Sequence, residues 1–174
     1  MLIRNYGLFW RRDQILWGKQ GSPGHLKGYL HHNKSAEPVD FREQQGIYVL
    51  YDSSFRLIYV GQAGANDQHD LFKRLRDHRG DHLAARWSLF SWFGIRTVLP
   101  VGNRLAKKAD GSHTTNAAVL NHLEAVLIAT AEPPLNLQGG RFGNARQYLQ
   151  WRDPALGVDL SQIAQTLIQK QAAN

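Results

Sequence analysis

Two runs of β-branched and aromatic residues, separated by a polar turn, form the clearest pattern along the chain. The first run is Gly46-Ile47-Tyr48-Val49-Leu50-Tyr51 and the second is Leu57-Ile58-Tyr59-Val60-Gly61. Asp52-Ser53-Ser54 stands between them, and such residues satisfy a turn locally, so the pattern predicts a β-hairpin over 46–61. Tyr48 and Tyr59 each lie just inside a glycine-marked strand end. Taken alone, these two phenols fit core packing as well as catalysis.

After the hairpin, the spacing of apolar residues predicts a helix over 70–80. Asp70 is suited to cap the helix and Gly80 to end it. Arg74 and His78 are four positions apart, so on a helix they project from the same face. The apolar stripe of the segment consists of Leu71, Phe72 and Leu75.

A β-rich run over 87–99 predicts a further strand, and a loop over 100–115 follows it. Thr114-Thr115-Asn116 then caps a helix from Ala117 to about Ala131, which the next prolines end. This helix is apolar over most of its circumference, so we expect it to be buried. Glu124 is then out of place, because a buried lone carboxylate needs a cation or hydrogen bonds. From the helix alone, a salt bridge or a surface position is the favoured explanation.

The two flanks have weaker patterns. Residues 1–18 alternate aromatic and polar and suggest an N-terminal β-hairpin, in which Phe9, Trp10 and Trp17 form a small satellite core rather than a base-stacking platform. Residues 18–45 are rich in Gly and Pro and suggest a loop-rich connector. Residues 138–143 form a Gly-rich loop with an arginine. Apolar residues from Leu160 onward recur at helical spacing and predict a C-terminal amphipathic helix.

The net charge favours one class of partner, and the lack of cysteine excludes several kinds of site. The formal net charge is +7 and the sequence contains no cysteine. A basic chain suggests a polyanionic partner, with nucleic acid ahead of an anionic membrane. The lack of cysteine excludes disulfides, thiolate zinc sites and cysteine nucleophiles. No apolar run approaches the length of a signal sequence or a membrane span, so we expect a soluble, cytoplasmic protein with no membrane partner.

Several of these signals together resemble the GIY-YIG nuclease superfamily. The family's elements correspond, in chain order, to Gly46-Ile47-Tyr48, Tyr59-Val60-Gly61, Arg74, His78, Glu124 and Asn136. The second motif has valine for the usual isoleucine, which is a packing-level change. The resemblance covers 46 to about 137 and leaves both flanks uncovered, where substrate choice would be encoded.

The resemblance implies an α+β fold, with a small three-stranded antiparallel sheet flanked by helices. The coarse reading of the chain gives the same order of strand, strand, helix, strand, helix. Residues 46–137 would be the nuclease core. Residues 1–45 would add the N-terminal hairpin and loop-rich extension, and 138–174 the Gly-rich loop and C-terminal helix.

The resemblance also implies an endonuclease that hydrolyses phosphodiester bonds of DNA with one divalent metal ion. Glu124 would hold Mg²⁺ or Mn²⁺, and Arg74 would grip the scissile phosphate. Tyr48 would be the general base, which requires neighbouring cations to lower its pKa. Tyr59 would orient water or phosphate. His78 would share the base role or position the phosphate, and Asn136 would brace the site.

Basic side chains around these elements are candidate contacts to the nucleic acid backbone: Lys73, Arg76, Arg79, Arg104, Lys107, Lys108 and Arg141. Two other functions stay open. One is a nuclease toxin or anti-phage effector acting on DNA or RNA, and the other is a non-catalytic nucleic-acid-binding module on the same fold. An HNH-type metal site is disfavoured, because His78 and His82 are separated by Gly80 without the required frame.

Overall fold

β-Strands dominate the part of the chain that the computed structural model describes, namely residues 2–19, 21–33, 37–64, 69–107, 109, 115–132, 136 and 138–156. The strands of this part are β1 Asn5–Arg11, β2 Leu16–Lys19, β3 Ser22–His25, β4 Lys27–Leu30, β5 Val39–Asp40, β6 Gly46–Tyr51, β7 Leu57–Ala63, β8 Leu89–Gly94 and β9 Arg146–Gln150. Its helices are α1 Leu71–Asp77 and α2 Asn116–Ala131, with 3₁₀ turns at Arg12–Gln14 and Pro154–Leu156. No helix among the described residues is long and apolar enough to cross a membrane.

Seven strands form one mixed sheet in the order β5-β4-β9-β1-β8-β6-β7, and β2 pairs with β3 in a separate two-stranded sheet. β1 lies between β8 and β9, antiparallel to the first and parallel to the second. The expected fold, a small three-stranded antiparallel sheet flanked by helices, is therefore wrong. Its three strands are present as the end β8-β6-β7, but four more strands extend that sheet, and the described chain is mostly sheet.

The predicted N-terminal hairpin is also wrong, because β1 joins the large sheet instead of pairing with β2. The register of β1 against β8 shifts between Gly7 and Trp10, and Phe9 in this irregular stretch has a φ of 52°. Trp10 is 2% exposed and packs in the main core. It therefore belongs neither to a small satellite core nor to a stacking platform.

Three strands lie where the sequence suggested a loop-rich connector over 18–45. β3 pairs with β2, while β4 pairs with both β5 and β9. β3 and β4 contain Pro23, Gly24 and Gly28, which are unfavourable in strands by side-chain propensity. Their pairing is made by backbone groups, so the side-chain pattern gave no sign of it. The C-terminal helix predicted from Leu160 lies outside the described residues.

The hairpin predicted over 46–61 is confirmed as β6 and β7, with Gly46 opposite Ala63 and Tyr48 opposite Gly61. The strand predicted over 87–99 is shorter and consists of β8, whose residues are all buried. β8 pairs along the whole of β6 and also with β1. It therefore connects the predicted hairpin to the rest of the sheet.

The two helices have the capping residues that the sequence indicated. The Asp70 carboxylate accepts a hydrogen bond of 2.9 Å from the Lys73 N–H at the start of α1. Thr115 accepts in the same way from Ala118 at the start of α2. Burial of α2 was predicted wrongly, since only part of its surface faces the sheet. Its exposed apolar side chains are Leu120, Leu123 and Leu127.

The sheet separates two cores, because side chains alternate between its faces. One core contains Tyr48 and Leu50 of β6 together with Leu71 and Leu75 of α1. We call this side of the sheet the α1 face. The other core contains Val49 and Tyr51 of β6 together with Ala125 of α2, and we call this side the α2 face.

Candidate active site

A chain of three hydrogen-bonded side chains lies on the α1 face. The Tyr48 oxygen is 2.8 Å from Nε2 of His78, and Nδ1 of His78 is 2.6 Å from Oδ2 of Asp81. A carboxylate only accepts hydrogen bonds, so Nδ1 of His78 carries a proton, and in the neutral imidazole Nε2 then accepts from the Tyr48 hydroxyl. The arrangement therefore prepares His78 to take a proton from Tyr48.

Two glycines of the hairpin permit close packing around β6. Gly61 lies opposite Tyr48, and a Cβ placed there would be 2.4 Å from the Tyr48 hydroxyl oxygen. Gly46 has a φ of 145°, and a Cβ placed there would be 2.0 Å from the carbonyl oxygen of Phe93 on β8. Residues with a Cβ fit neither position. Close packing therefore explains why each of the two sequence motifs contains a glycine.

Tyr59 and Arg74 complete the cluster. The Tyr59 ring lies 4.9 Å from the His78 ring and 6.1 Å from the Tyr48 ring, measured between centroids. Arg74 is one helical turn before His78, whose N–H donates to the Arg74 carbonyl. The charge of Arg74 acts on the Tyr48 phenol. Tyr48, Tyr59, Arg74 and His78, which the resemblance selected, are therefore brought together.

The environment of Tyr48 differs from the expectation in one respect. Burial, followed by the neighbouring Tyr59, raises the pKa of Tyr48, and the opposing effect of Arg74 is smaller. Tyr48 is 1% exposed. The phenol therefore stays protonated at neutral pH. It can accept a proton from water only by giving its own proton to His78.

Asp81 is the site residue that the sequence interpretation missed. One oxygen of its carboxylate accepts from His78, and the other accepts from the Leu83 N–H at 2.8 Å. Burial by itself raises the pKa of Asp81, but these hydrogen bonds and the neighbouring histidines together lower it overall. Asp81 follows the helix-ending Gly80, so no helical spacing connected it with His78. The sequence feature that could have indicated Asp81 is an acidic residue three positions after a candidate histidine.

Glu124 and Asn136 lie elsewhere. Glu124 is on α2, which packs against the opposite face of the sheet from Tyr48, and its side chain is exposed. Asn136 lines the same surface pocket as Glu124. An exposed carboxylate has no burial cost to offset, so the argument that Glu124 needs a cation loses its premise.

The pocket at Glu124 tests whether the expected metal fits. Carboxylate and amide oxygens of Glu124, Asn121 and Asn136 line it, and these are ligands that Mg²⁺ accepts. Arg141 also lines the pocket and opposes a cation there, and it donates to the Gln138 amide oxygen at 2.7 Å. Because this pocket is across the sheet from Tyr48, a metal at Glu124 does not fit the cluster on the α1 face. The described residues contain no group of three or more His, Asp or Glu side chains placed to hold a metal.

The candidate contacts to nucleic acid fall into three places. Lys73 and Arg76 are on α1, the helix that also bears Arg74, and Arg79 follows His78 just after this helix. Arg104 and Lys107 line a separate cavity of about 550 Å³ that also includes Arg42 and Arg96. Arg141 is on the α2 face, and Lys108 lies outside the described residues. The first group is the one that adjoins His78.

Comparison with known protein families, with curated proteins and with solved structures found no match. The resemblance to the GIY-YIG superfamily therefore rests on the motif residues themselves. Functional inference for this chain depends on the chemistry of the α1 face.

Proposed function

We propose that the protein is a nuclease that hydrolyses phosphodiester bonds of nucleic acid, with DNA as the first substrate to test. The observation that carries the proposal is the hydrogen-bonded chain from Tyr48 through His78 to Asp81, with the charge of Arg74 beside it. A phenol coupled to an oriented imidazole can move a proton, and a guanidinium can bind a phosphate. The net charge of +7 favours a polyanionic substrate.

In the proposed reaction a water molecule attacks the phosphorus atom on the α1 face. Tyr59 is more accessible than Tyr48 and presents the water. The water loses a proton to the Tyr48 oxygen as Tyr48 gives its own proton to His78. Asp81 stabilises the imidazolium that forms, as a carboxylate does for a histidine base. Arg74 offsets the charge that develops on the phosphate.

Breaking the phosphorus–oxygen bond leaves an alkoxide, which takes a proton from solvent. The resemblance implies that Mg²⁺ or Mn²⁺ would stabilise this oxygen in the family. No step is assigned to a metal here, since the carboxylate expected to hold it lies on the α2 face. We also expect the nuclease to act in the cytoplasm, because a chain without cysteine suits a reducing compartment.

The test is a cleavage assay with end-labelled single-stranded DNA, the same sequence as a duplex, and RNA. Each substrate is incubated with Mg²⁺, Mn²⁺ or EDTA. Tyr48→Phe should lower the cleavage rate by about 10²- to 10⁴-fold, the usual contribution of a general base. Tyr6→Phe is the matched control, because Tyr6 is a half-buried tyrosine that packs on Phe142 in the core of the α2 face. Equal rates for the two variants would contradict the proposal.

A second candidate function is nucleic acid binding without cleavage. The observation that favours it is the 1% exposure of Tyr48, whose neighbours include Tyr59 and His78. In that case wild-type protein would bind labelled DNA in a gel-shift assay and leave it intact under every metal condition. Substitution of Tyr48 would then change neither result.

A further inference from the structure

A cavity of about 600 Å³ lies beside the candidate active site and is formed in part by the N-terminal segment. Arg12, Trp17, Phe55, Arg79 and Trp87 are among the residues that line it. Arg12 and Trp17 precede the region of family resemblance, so the resemblance does not account for this cavity. A volume of this size accommodates a small organic ligand such as a nucleotide.

Two of the three arginines that line the cavity, Arg12 and Arg79, stack on aromatic rings. The guanidinium carbon of Arg12 is 4.7 Å from the centre of the Trp87 ring, and that of Arg79 is 4.7 Å from the Trp17 ring. Arg12 also donates from Nη1 to the carbonyl oxygens of Ala84 and Trp87. A stacked guanidinium keeps its edge available for phosphate oxygens and loses little conformational freedom on binding.

The cavity has an excess of positive charge. Asp13 is the acidic residue in its lining, and both of its oxygens accept hydrogen bonds from Arg11, at 3.0 and 2.8 Å. Among the described residues neither Arg12 nor Arg79 forms an ion pair. Burial, followed by the charge of Arg79, lowers the pKa of Arg12. An anion placed between the two guanidinium groups would relieve this repulsion.

One aromatic ring in the cavity is open to solvent. Phe55 is 56% exposed and lies in the turn between β6 and β7. Cationic groups combined with an accessible aromatic ring are the means by which proteins bind single-stranded nucleic acid, whose bases are free to stack. In a duplex the bases are paired and stacked inside, so Phe55 would have no base to contact.

Two residues that line the cavity, Arg79 and Trp87, are directly linked to His78. Arg79 directly follows His78 in the chain, and Nε1 of Trp87 donates to the His78 carbonyl oxygen at 3.1 Å. A strand whose scissile phosphate reaches Arg74 and His78 would therefore pass the cavity with a neighbouring nucleotide.

We infer that this cavity binds one nucleotide of a single strand, with its phosphate between Arg12 and Arg79 and its base against Phe55. The inference deepens the proposed nuclease function and rests on it for the biological role of the cavity. It predicts that the preferred substrate is single-stranded next to the cleavage point.

The test is fluorescence anisotropy with a labelled oligothymidylate and with a labelled duplex, in EDTA and at several salt concentrations. Phe55→Ala should weaken binding of the single strand by about tenfold, a usual effect of losing one stacked base, and should leave duplex binding unchanged. Arg79→Gln should weaken single-strand binding by about tenfold, and it should reduce the salt dependence by about 0.7 in slope. Arg12→Gln should act like Arg79→Gln, with its fold checked by thermal melting because Arg12 also contacts two carbonyl groups.

Leu57→Ala and Arg86→Gln are the matched controls, since both residues are exposed and outside the cavity lining. Unchanged affinity in both Phe55→Ala and Arg79→Gln would overturn the inference, and so would equal loss for the single strand and the duplex. Thymidine monophosphate binding as tightly as the oligothymidylate would also overturn it, because the site would then serve free nucleotides.

Binding is measured without cleavage, so an inactive protein that shows these losses would contradict the nuclease proposal alone. An active protein that lacks them would contradict the inference alone.

Discussion

The two faces of the sheet differ in how firmly their polar groups are held. On the α1 face, Tyr48, His78 and Asp81 are joined by hydrogen bonds of 2.8 and 2.6 Å. On the α2 face, Glu124 and Asn136 line an open surface pocket beside exposed leucines. Catalytic groups need fixed positions, because small displacements from the productive geometry reduce rates strongly. The comparison therefore places the candidate chemistry on the α1 face.

After Tyr48→Phe, the largest expected effect tests the positioning of His78. Asp81→Asn places an amide beside Nδ1, and its N–H₂ would favour the tautomer in which Nε2 carries the proton. His78 could then no longer accept from Tyr48, so we expect kcat to fall by about 100-fold with little change in KM. Asp77→Asn is the control, because Asp77 is an exposed acid at the end of α1. A fall in KM and kcat together, or equal rates for both variants, would contradict this role.

The space around Tyr48 gives the next prediction. A methyl group at Gly61 would lie 2.4 Å from the Tyr48 oxygen, so Gly61→Ala must displace the phenol or the strand. Overpacking of this kind costs about 1–3 kcal/mol of stability, and we expect most of the cleavage activity to be lost with it. Denaturant unfolding and cleavage assays measure the two effects. Gly139→Ala on the α2 face has open space around it and should change neither.

These glycines also show what the sequence could reveal about the fold. Gly46, Tyr48, Tyr59 and Gly61 form a local pattern from which the hairpin over 46–61 followed, and the family resemblance then selected its two phenols for the site. The positions of Arg74 and His78 followed from helical spacing. All of these depend on residues within one or two elements, where side-chain periodicity is informative.

The pattern of side chains did not predict which strands pair when they are distant in the sequence. β1 lies between β8 and β9, which are both far from it in the sequence, and β4 pairs with β9 through backbone groups. Which side of the sheet α2 would cover was equally undetermined, since its apolar residues surround the helix. Asp81 was missed because it follows a helix end, where spacing no longer indicates direction.

A smaller effect concerns the attachment of α2. His122 is buried, and its Nδ1 accepts from the Leu2 and Ile3 N–H groups at 3.2 Å each. Burial lowers the pKa of His122, so the folded state holds it neutral. The unfolded chain binds a proton near pH 6.5, and stability should therefore decline as the pH falls below about 6.5.

His122→Ala should reduce this acid sensitivity and lower the free energy of unfolding at pH 8 by about 1–3 kcal/mol, because the Leu2 and Ile3 N–H groups lose their acceptor. Urea unfolding at pH 8 and pH 5 measures both quantities. Cleavage by the variant at pH 8 should stay close to wild type while the protein is folded, since His122 belongs to the α2 side. An unchanged difference in stability between the two pH values would contradict the role of His122.

The smallest expected effect tests whether cleavage depends on residues of the α1 face or also on Glu124 of the α2 face. The family resemblance makes Glu124 the metal ligand, so its removal should abolish cleavage. The Glu124 carboxylate is exposed and lies across the sheet from Tyr48. We therefore expect Glu124→Gln to leave kcat/KM and its Mg²⁺ dependence close to wild type. Glu132→Gln is the matched control, because Glu132 is another exposed acid and directly follows α2. Loss of cleavage in Glu124→Gln alone would require α2 to carry its carboxylate to the α1 face, and the metal would then act beside Tyr48 as the resemblance implies.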